Sequence, residues 1–244
     1  MSLGQELPKI YVSMPHECGY LTDKIATTIF VDPRASISIP IYTLLARQGF
    51  RRSGNLIYRP HCEGCDACIP VRIPASDFQP NRGQQRVWRR NQDLSITEVK
   101  ADYTDEHFAL YRRYQRTRHA GSSMDTDDPD RYRDFLFGTI ADTRLIEMRA
   151  PASGNGTGKL LSVAVIDVLD DGLSAVYTFF DPGETRRALG VFSVLYEVEL
   201  AKSLGLPYTY LGYLIADSPK MSYKINYQPL QAFQSGKWDL LKKD

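Results

Sequence analysis

A chain of 244 residues, 43% hydrophobic and with a formal net charge of +1, can bury a real core as one large or two small domains. No apolar run approaches the roughly 18–20 residues of a membrane span, so a helical membrane protein is excluded and a cytoplasmic protein without a signal peptide is expected. This length is also far above the size at which a small secreted scaffold needs disulfides, which disfavours a disulfide framework.

The first hundred residues divide into short elements. A strand is expected near Ile25 to Val31, then a helix from Pro40 to Gln48 closed by Gly49. A hairpin follows, Phe50 to Arg52 and Leu56 to Arg59, joined through Ser53-Gly54-Asn55. Directly after it, Cys62, Cys65 and Cys68 place three of the four cysteines within seven residues. Two residues between successive cysteines let one loop aim three sulfurs at a point, as thiolate ligands of zinc and of iron-sulfur clusters do. Cys18 would complete a four-thiolate set if the fold returns it to this loop, with His16 and His61 in reserve. The alternative is four reduced thiols packed in a turn-rich region.

The near-neutral total hides an asymmetry. Residues 47–90 carry nine arginines and no lysine against Glu63, Asp66 and Asp77, while Asp125, Asp127, Asp128, Asp130 and Asp134 gather later. Guanidinium forks pair with phosphate and stack on bases, which makes RNA a plausible partner. Arg82, Arg86, Arg89 and Arg90 would share adjacent faces with Trp88 if this segment is helical, a mixture suited to backbone and exposed bases; a solvated basic face is the alternative. Leu94 to Lys100 alternates as a further strand.

Beyond residue 100 the segments lengthen. Thr104 caps a helix with Asp105 and Glu106 in its first turn and Phe108, Tyr111, Tyr114 and Gln115 on one face. Asp128 and Pro129 start a second, with Tyr132, Phe135, Leu136, Thr139 and Ile140 as its buried stripe. Strands follow at Arg144 to Arg149, Leu160 to Leu169 and Leu173 to Phe180, the first loop glycine-rich and the second a tight turn at Asp170-Asp171-Gly172. Gly190 opens a helix carrying Val191, Val194, Leu195 and Val198, which ends near Gly205. After Pro207 comes a strand from Tyr208 to Tyr213.

This order of elements predicts an α/β (α+β) protein: a cysteine-containing domain over residues 1–100 and a GNAT-like acyltransferase domain over 101–244, an analogy of fold that fixes no substrate. Acyl-CoA members of that fold bind pyrophosphate through a small-residue motif at a helix amino end. Here Arg187-Ala188-Leu189-Gly190-Val191-Phe192 places a bulky Phe192 where a small residue should stand.

Specific runs add a resemblance. Arg59 to Arg72, Phe78-Gln79-Pro80 and Arg89-Arg90-Asn91 resemble the amino-terminal part of the aminoacyl-tRNA-protein transferases. Arg118-His119, Tyr177 to Pro182, Leu211-Gly212-Tyr213 and Ser218 to Lys224 resemble their carboxy-terminal part. The likeness covers nearly the whole chain and is nearest the bacterial aspartate/glutamate leucyltransferases; the eukaryotic arginyltransferases share the motifs. It implies transfer of leucine from leucyl-tRNA to the α-amine of proteins beginning with Asp or Glu, marking them for degradation by the N-degron pathway.

A donor ester is already activated, so the chemistry needs alignment, oxyanion stabilisation and a proton for the departing ribose, with no cofactor and no cysteine nucleophile. The candidates are Lys220, Tyr223 and Lys224, which would share one side of a helix, with Lys as cation and Tyr223 as proton relay. Asp181 would orient the incoming ammonium and His119 would accept a proton. Arg59, Arg72 or Arg118 would meet the acceptor carboxylate, and Arg86, Arg89 and Arg90 the tRNA. Arginyl transfer, an acyl-CoA-dependent N-acetyltransferase and a noncatalytic RNA-binding protein are the rival readings.

Overall fold

The computed structural model describes residues 8–121, 124–138, 140–152 and 156–242. In chain order the elements are β1 (Ile10–Val12), β2 (His16–Glu17), β3 (Ile25–Ala26), β4 (Thr28–Val31), α1 (Ile39–Arg47), β5 (Arg51–Ser53), β6 (Leu56–Pro60), β7 (Ile69–Pro74), α2 (Arg82–Arg90), β8 (Ser95–Lys100), α3 (Asp105–Arg118) and α4 (Pro129–Leu136). They continue as β9 (Asp142–Arg149), β10 (Leu160–Leu169), β11 (Gly172–Phe180), α5 (Leu189–Ser203), β12 (Tyr208–Leu214), β13 (Leu230–Gln234) and β14 (Lys237–Leu241).

Eight strands form one mixed sheet in the order β14-β13-β7-β12-β11-β10-β9-β8. β11 and β12 are the parallel pair, joined through α5 as a parallel crossover requires. A four-stranded sheet, β1-β4-β6-β5, and the β2-β3 hairpin lie apart. A boundary at residue 100 falls between β8 and α3, and both β7 and β8 on its amino-terminal side are hydrogen-bonded into the large sheet, against β12 and β9.

Alternation along β10 builds the layers. Ala164, Ile166 and Val168 face the cluster that includes Phe192, Val198 and Ala201 of α5, while Val163 and Val165 face α3 and α4. On that second face, Asp167 and Leu169 meet α1 and the small sheet.

The caps follow the local chemistry. Thr104 accepts from the His107 amide at the start of α3, and Asp128 accepts from the Asp130 amide before Pro129. Asn81 and Gln84 make a reciprocal capping box that settles α2 as a helix. Two expectations fail. The strand near Ile25 to Val31 is interrupted at Thr27, whose hydroxyl donates to the His61 carbonyl. The second helix of the carboxy-terminal part stops at Leu136, short of the predicted stripe, because its last carbonyls find donors outside it: Gly54 N reaches Phe135 O at 2.8 Å and Arg52 Nη1 reaches Leu136 O at 3.1 Å. Thr139, and with it part of the glycine-rich loop at 153–155, lies outside the described residues.

Candidate active site

β11 and β12 are paired only over Gly172–Ser174 with Tyr208–Tyr210, and beyond that register the two strands run on to Phe180 and Leu214. Arg51 bridges the opening. Its guanidinium donates to Ser174 Oγ at 3.0 Å and Tyr210 O at 3.3 Å, and also to Ala175 O. The approach depends on Gly212, at φ +79°, where a β-carbon would come within 3.3 Å of Arg51 Nε. Part of the Leu211-Gly212-Tyr213 run is thereby explained as clearance.

Lys224 lies beside this opening. It is 5% exposed, and its Nζ donates to Tyr213 O at 2.5 Å. Burial, then the charge of Arg51, lowers its ammonium to about 7, against a smaller opposing pull from Cys68. Tyr223 is 43% exposed, and its ring centroid is 5.7 Å from Lys224 Nζ. Desolvation, then Glu197 and Tyr114, pushes its phenol up to about 12.

Lys220, Tyr223 and Lys224 do not share one helix face. Lys220 is exposed in a turn, and Ser222–Asn226 form a 3-10 segment. Three residues per turn set neighbouring side chains about 120° apart, so Tyr223 reaches outward while Lys224 is buried.

His119 caps the carboxyl end of α3, its ring 5.7 Å from Tyr114, which packs 4.8 Å from Phe180. Desolvation lowers its imidazole, with Lys220 and Arg118 adding to the effect. Asp181, at the end of β11, is 9% exposed and pairs with Lys159 at 2.6 Å. Burial raises its carboxyl, but the hydrogen bonds from Lys159 and the Gly183 amide outweigh it and leave the group below the usual range.

The arginines divide. Arg72 is 7% exposed, with its guanidinium 3.5 Å from the Tyr208 ring centroid and 4.3 Å from that of Trp238, and it donates to Gln231 and Tyr210. The fold encloses it between these rings. Arg59 donates to Gln48 O at 2.6 Å and lies over Phe50. Arg118 is exposed beside Tyr114 and His119. Arg82, Arg86, Arg89 and Arg90 all lie exposed on α2. Trp88 instead packs inward, 5.4 Å from Phe192, so it is no stacking platform for bases. Phe192 is buried in that contact, and Arg187 is held in a two-pronged pair with Asp93.

All four cysteines line one cavity of about 350 Å³, together with His61 and Arg59. The β2-β3 hairpin brings Cys18 there, its amide donating to Lys24 O at 2.8 Å. His16 is exposed with a ring nitrogen on Met14 O. Burial, then the neighbouring sulfurs of Cys18, Cys62 and Cys65, raises the Cys68 thiol to about 11. Among the described residues no three His, Cys, Asp or Glu side chains are gathered closely enough to hold an ion. The donor set suits a thiophilic cation, and closing it requires the sulfurs to draw inward.

Two groups at the opening were missed by sequence reasoning, Arg51 and Glu197. Arg51 carried no signal beyond its place in a hairpin. Glu197 did carry one, since it falls between Val194 and Val198 on a helix that is otherwise apolar there.

The opening between β11 and β12 thus gathers a buried lysine, a phenol and an arginine at one place in the mixed sheet. Family models for arginine-tRNA-protein transferase match residues 16–86 (amino terminus) and 106–234 (carboxy terminus). The chain belongs to this family. An aspartate/glutamate leucyltransferase from Nitrosococcus oceani is 49% identical over 233 residues, covering 96% of each chain, and one from Hahella chejuensis is 48% identical over 228 residues, covering 93% of this chain and 95% of that one. Among solved structures, FemX aligns over 77% of this chain and 75% of its own with TM-score 0.46 and 8% identity, a likeness too slight to carry an argument.

Proposed function

We propose that this protein transfers leucine from leucyl-tRNA to the α-amine of proteins whose first residue is Asp or Glu, marking them for degradation. The observation that carries the reading is the 49% identity to an aspartate/glutamate leucyltransferase over 96% of both chains. The geometry agrees with it. The β9–β11 meander, the α5 crossover and the opening between β11 and β12 support a GNAT-like reading of the carboxy-terminal part. At the start of α5, Arg187 is committed to Asp93 and Phe192 to the core, which disfavours a coenzyme A pyrophosphate site.

In this reading the acceptor nitrogen attacks the ester carbonyl, the C–N bond forms, the bond to ribose breaks, and one proton ends on the ribose oxygen. Lys224 meets the developing oxyanion and Tyr223 relays the proton. Arg86, Arg89 and Arg90 on α2 contact tRNA phosphates, with Arg118 and Lys220 at the other rim. Among the described residues no helix is long and apolar enough to cross a membrane, and a charged-tRNA donor supports a cytoplasmic reaction.

The test is mass spectrometry of peptides beginning with Asp, Glu or Lys after incubation with a fully charged tRNA pool. A leucine mass on the acidic peptides alone is expected. An arginine mass would change the donor, and no addition would overturn the transferase reading.

The four cysteines are proposed to hold zinc or an iron-sulfur cluster in a structural role, next to Lys224 through Cys68. Replacing Cys62 and Cys65 together with serine is expected to remove most of the bound zinc or iron, measured by elemental analysis of anaerobically purified protein. Equal metal content in both proteins would dismiss the site.

A further inference from the structure

Glu197 is 1% exposed, and neither of its carboxyl oxygens has a hydrogen-bond partner. The three other buried carboxylates among the described residues are each paired: Asp167 with Arg52, Asp171 with Arg47 and Asp181 with Lys159. A carboxyl removed from water without donors is costly, so one kept on a buried helix face points to a donor that arrives with a ligand.

The surroundings say what kind of donor. Arg51 is the cation whose field reaches Glu197, and the same arginine acts on Lys224. Tyr223 and Tyr227 feel the Glu197 charge from the segment after β12, their rings 6.4 Å apart. Tyr227 is 2% exposed, and its hydroxyl also lacks a partner. A carboxyl and a hydroxyl without hydrogen-bond partners, close enough for the carboxyl's charge to act on Tyr223 and Tyr227, suit a compact group with several N–H donors and a positive charge.

We propose that Glu197 receives a primary ammonium of the substrate, and that Arg51 beside it meets the side-chain carboxylate that accompanies this ammonium in an amino-terminal Asp or Glu. The assignment rests on the leucyl-transfer reading. Two sources share the chemistry, the acceptor's amino terminus and the α-amine of the leucyl group; the adjoining Arg51 favours the acceptor, which carries both charges. Glu197 then takes one proton from the ammonium, leaving the nitrogen lone pair free for the ester carbonyl and the carboxyl neutral. Burial, which raises the Glu197 carboxyl, favours that neutral form.

The experiment compares the full-length protein with Glu197→Gln. KM is measured separately for an Asp-initiated peptide and for leucyl-tRNA, and calorimetry compares the Asp peptide with its des-amino analogue, which keeps the carboxylate and lacks the amine. The expected result is a rise of about tenfold or more in peptide KM, little change for leucyl-tRNA, and loss of the preference for the amine-bearing peptide. A rise confined to leucyl-tRNA would overturn the acceptor assignment in favour of the donor's amine. Unchanged constants and an unchanged peptide preference would overturn the site altogether.

Folding does not confound the comparison. A carboxyl whose folded value is raised binds its proton more tightly in the folded chain, so its contribution to stability is lost as pH climbs from about 4.5 through about 8. The glutamine variant escapes that loss and should melt no lower than wild type at pH 8. Failure of wild type to transfer leucine would overturn the parent reading, while the calorimetric pair still tests Glu197.

Discussion

Asp167→Ala is expected to lower the unfolding free energy by about 3–5 kcal/mol, measured as a shift of the urea midpoint. The Arg52 and Asp167 side chains are both 0% exposed. Arg52 grips the carboxylate with two prongs, Nε to Oδ2 and Nη2 to Oδ1, each at 2.6 Å, while Tyr42 and Thr143 donate to the same group at 3.1 and 2.8 Å. Removing the carboxylate strands a buried guanidinium, and that uncompensated charge dominates the cost. A paired Arg52→Met and Asp167→Leu replacement should recover most of the loss, since the pair itself gains little over apolar packing. A loss under about 1 kcal/mol for Asp167→Ala would mean that water reaches the pair. Activity should fall alongside, because Arg52 anchors the strand that carries Arg51 into the opening between β11 and β12.

That pair also marks where the sequence stops being legible. Thr104, Asp128 and Pro129 act within one helical turn, so their caps can be read from neighbouring residues alone. The three clustered cysteines are legible for the same reason. The convergence of Cys18 on them is a matter of tertiary path, carried by the β2-β3 hairpin. Arg51 and Arg52 are adjacent and chemically identical, yet alternation along β5 sends one to Asp167 and the other into the sheet opening, with partners more than a hundred residues away. Nothing local distinguishes them. Arg72 shows the converse: it reads as a free cation for an acidic substrate, and the fold encloses it between Tyr208 and Trp238. The end of α4 at Leu136 was equally hidden, because the groups that terminate it belong to β5 and the turn that follows it.

Lys224→Met should reduce kcat for leucyl transfer by about a hundredfold or more while leaving the KM for leucyl-tRNA nearly unchanged. Lys224 is buried at the opening with a fixed hydrogen bond to Tyr213 O, so its remaining N–H groups are held in place before the oxyanion forms. Methionine keeps the bulk and removes the charge. Because burial and Arg51 lower this ammonium to about 7, wild-type transfer should decline as pH rises above about 7, where Lys224 loses its proton, and the variant's residual rate should lack that limb. Stability runs the other way. With a folded value below the ordinary 10.5, the unfolded chain binds more protons between about 7 and 10.5, so this lysine makes wild type more stable as pH rises across that window. Methionine removes that slope along with the cost of burying an ammonium, on the order of a few kcal/mol at neutral pH and below. A variant that folds as well as or better than wild type and yet transfers poorly would separate catalysis from architecture at this residue. Retained activity with an unchanged pH profile would assign Lys224 to the fold and leave Tyr223 to carry the oxyanion.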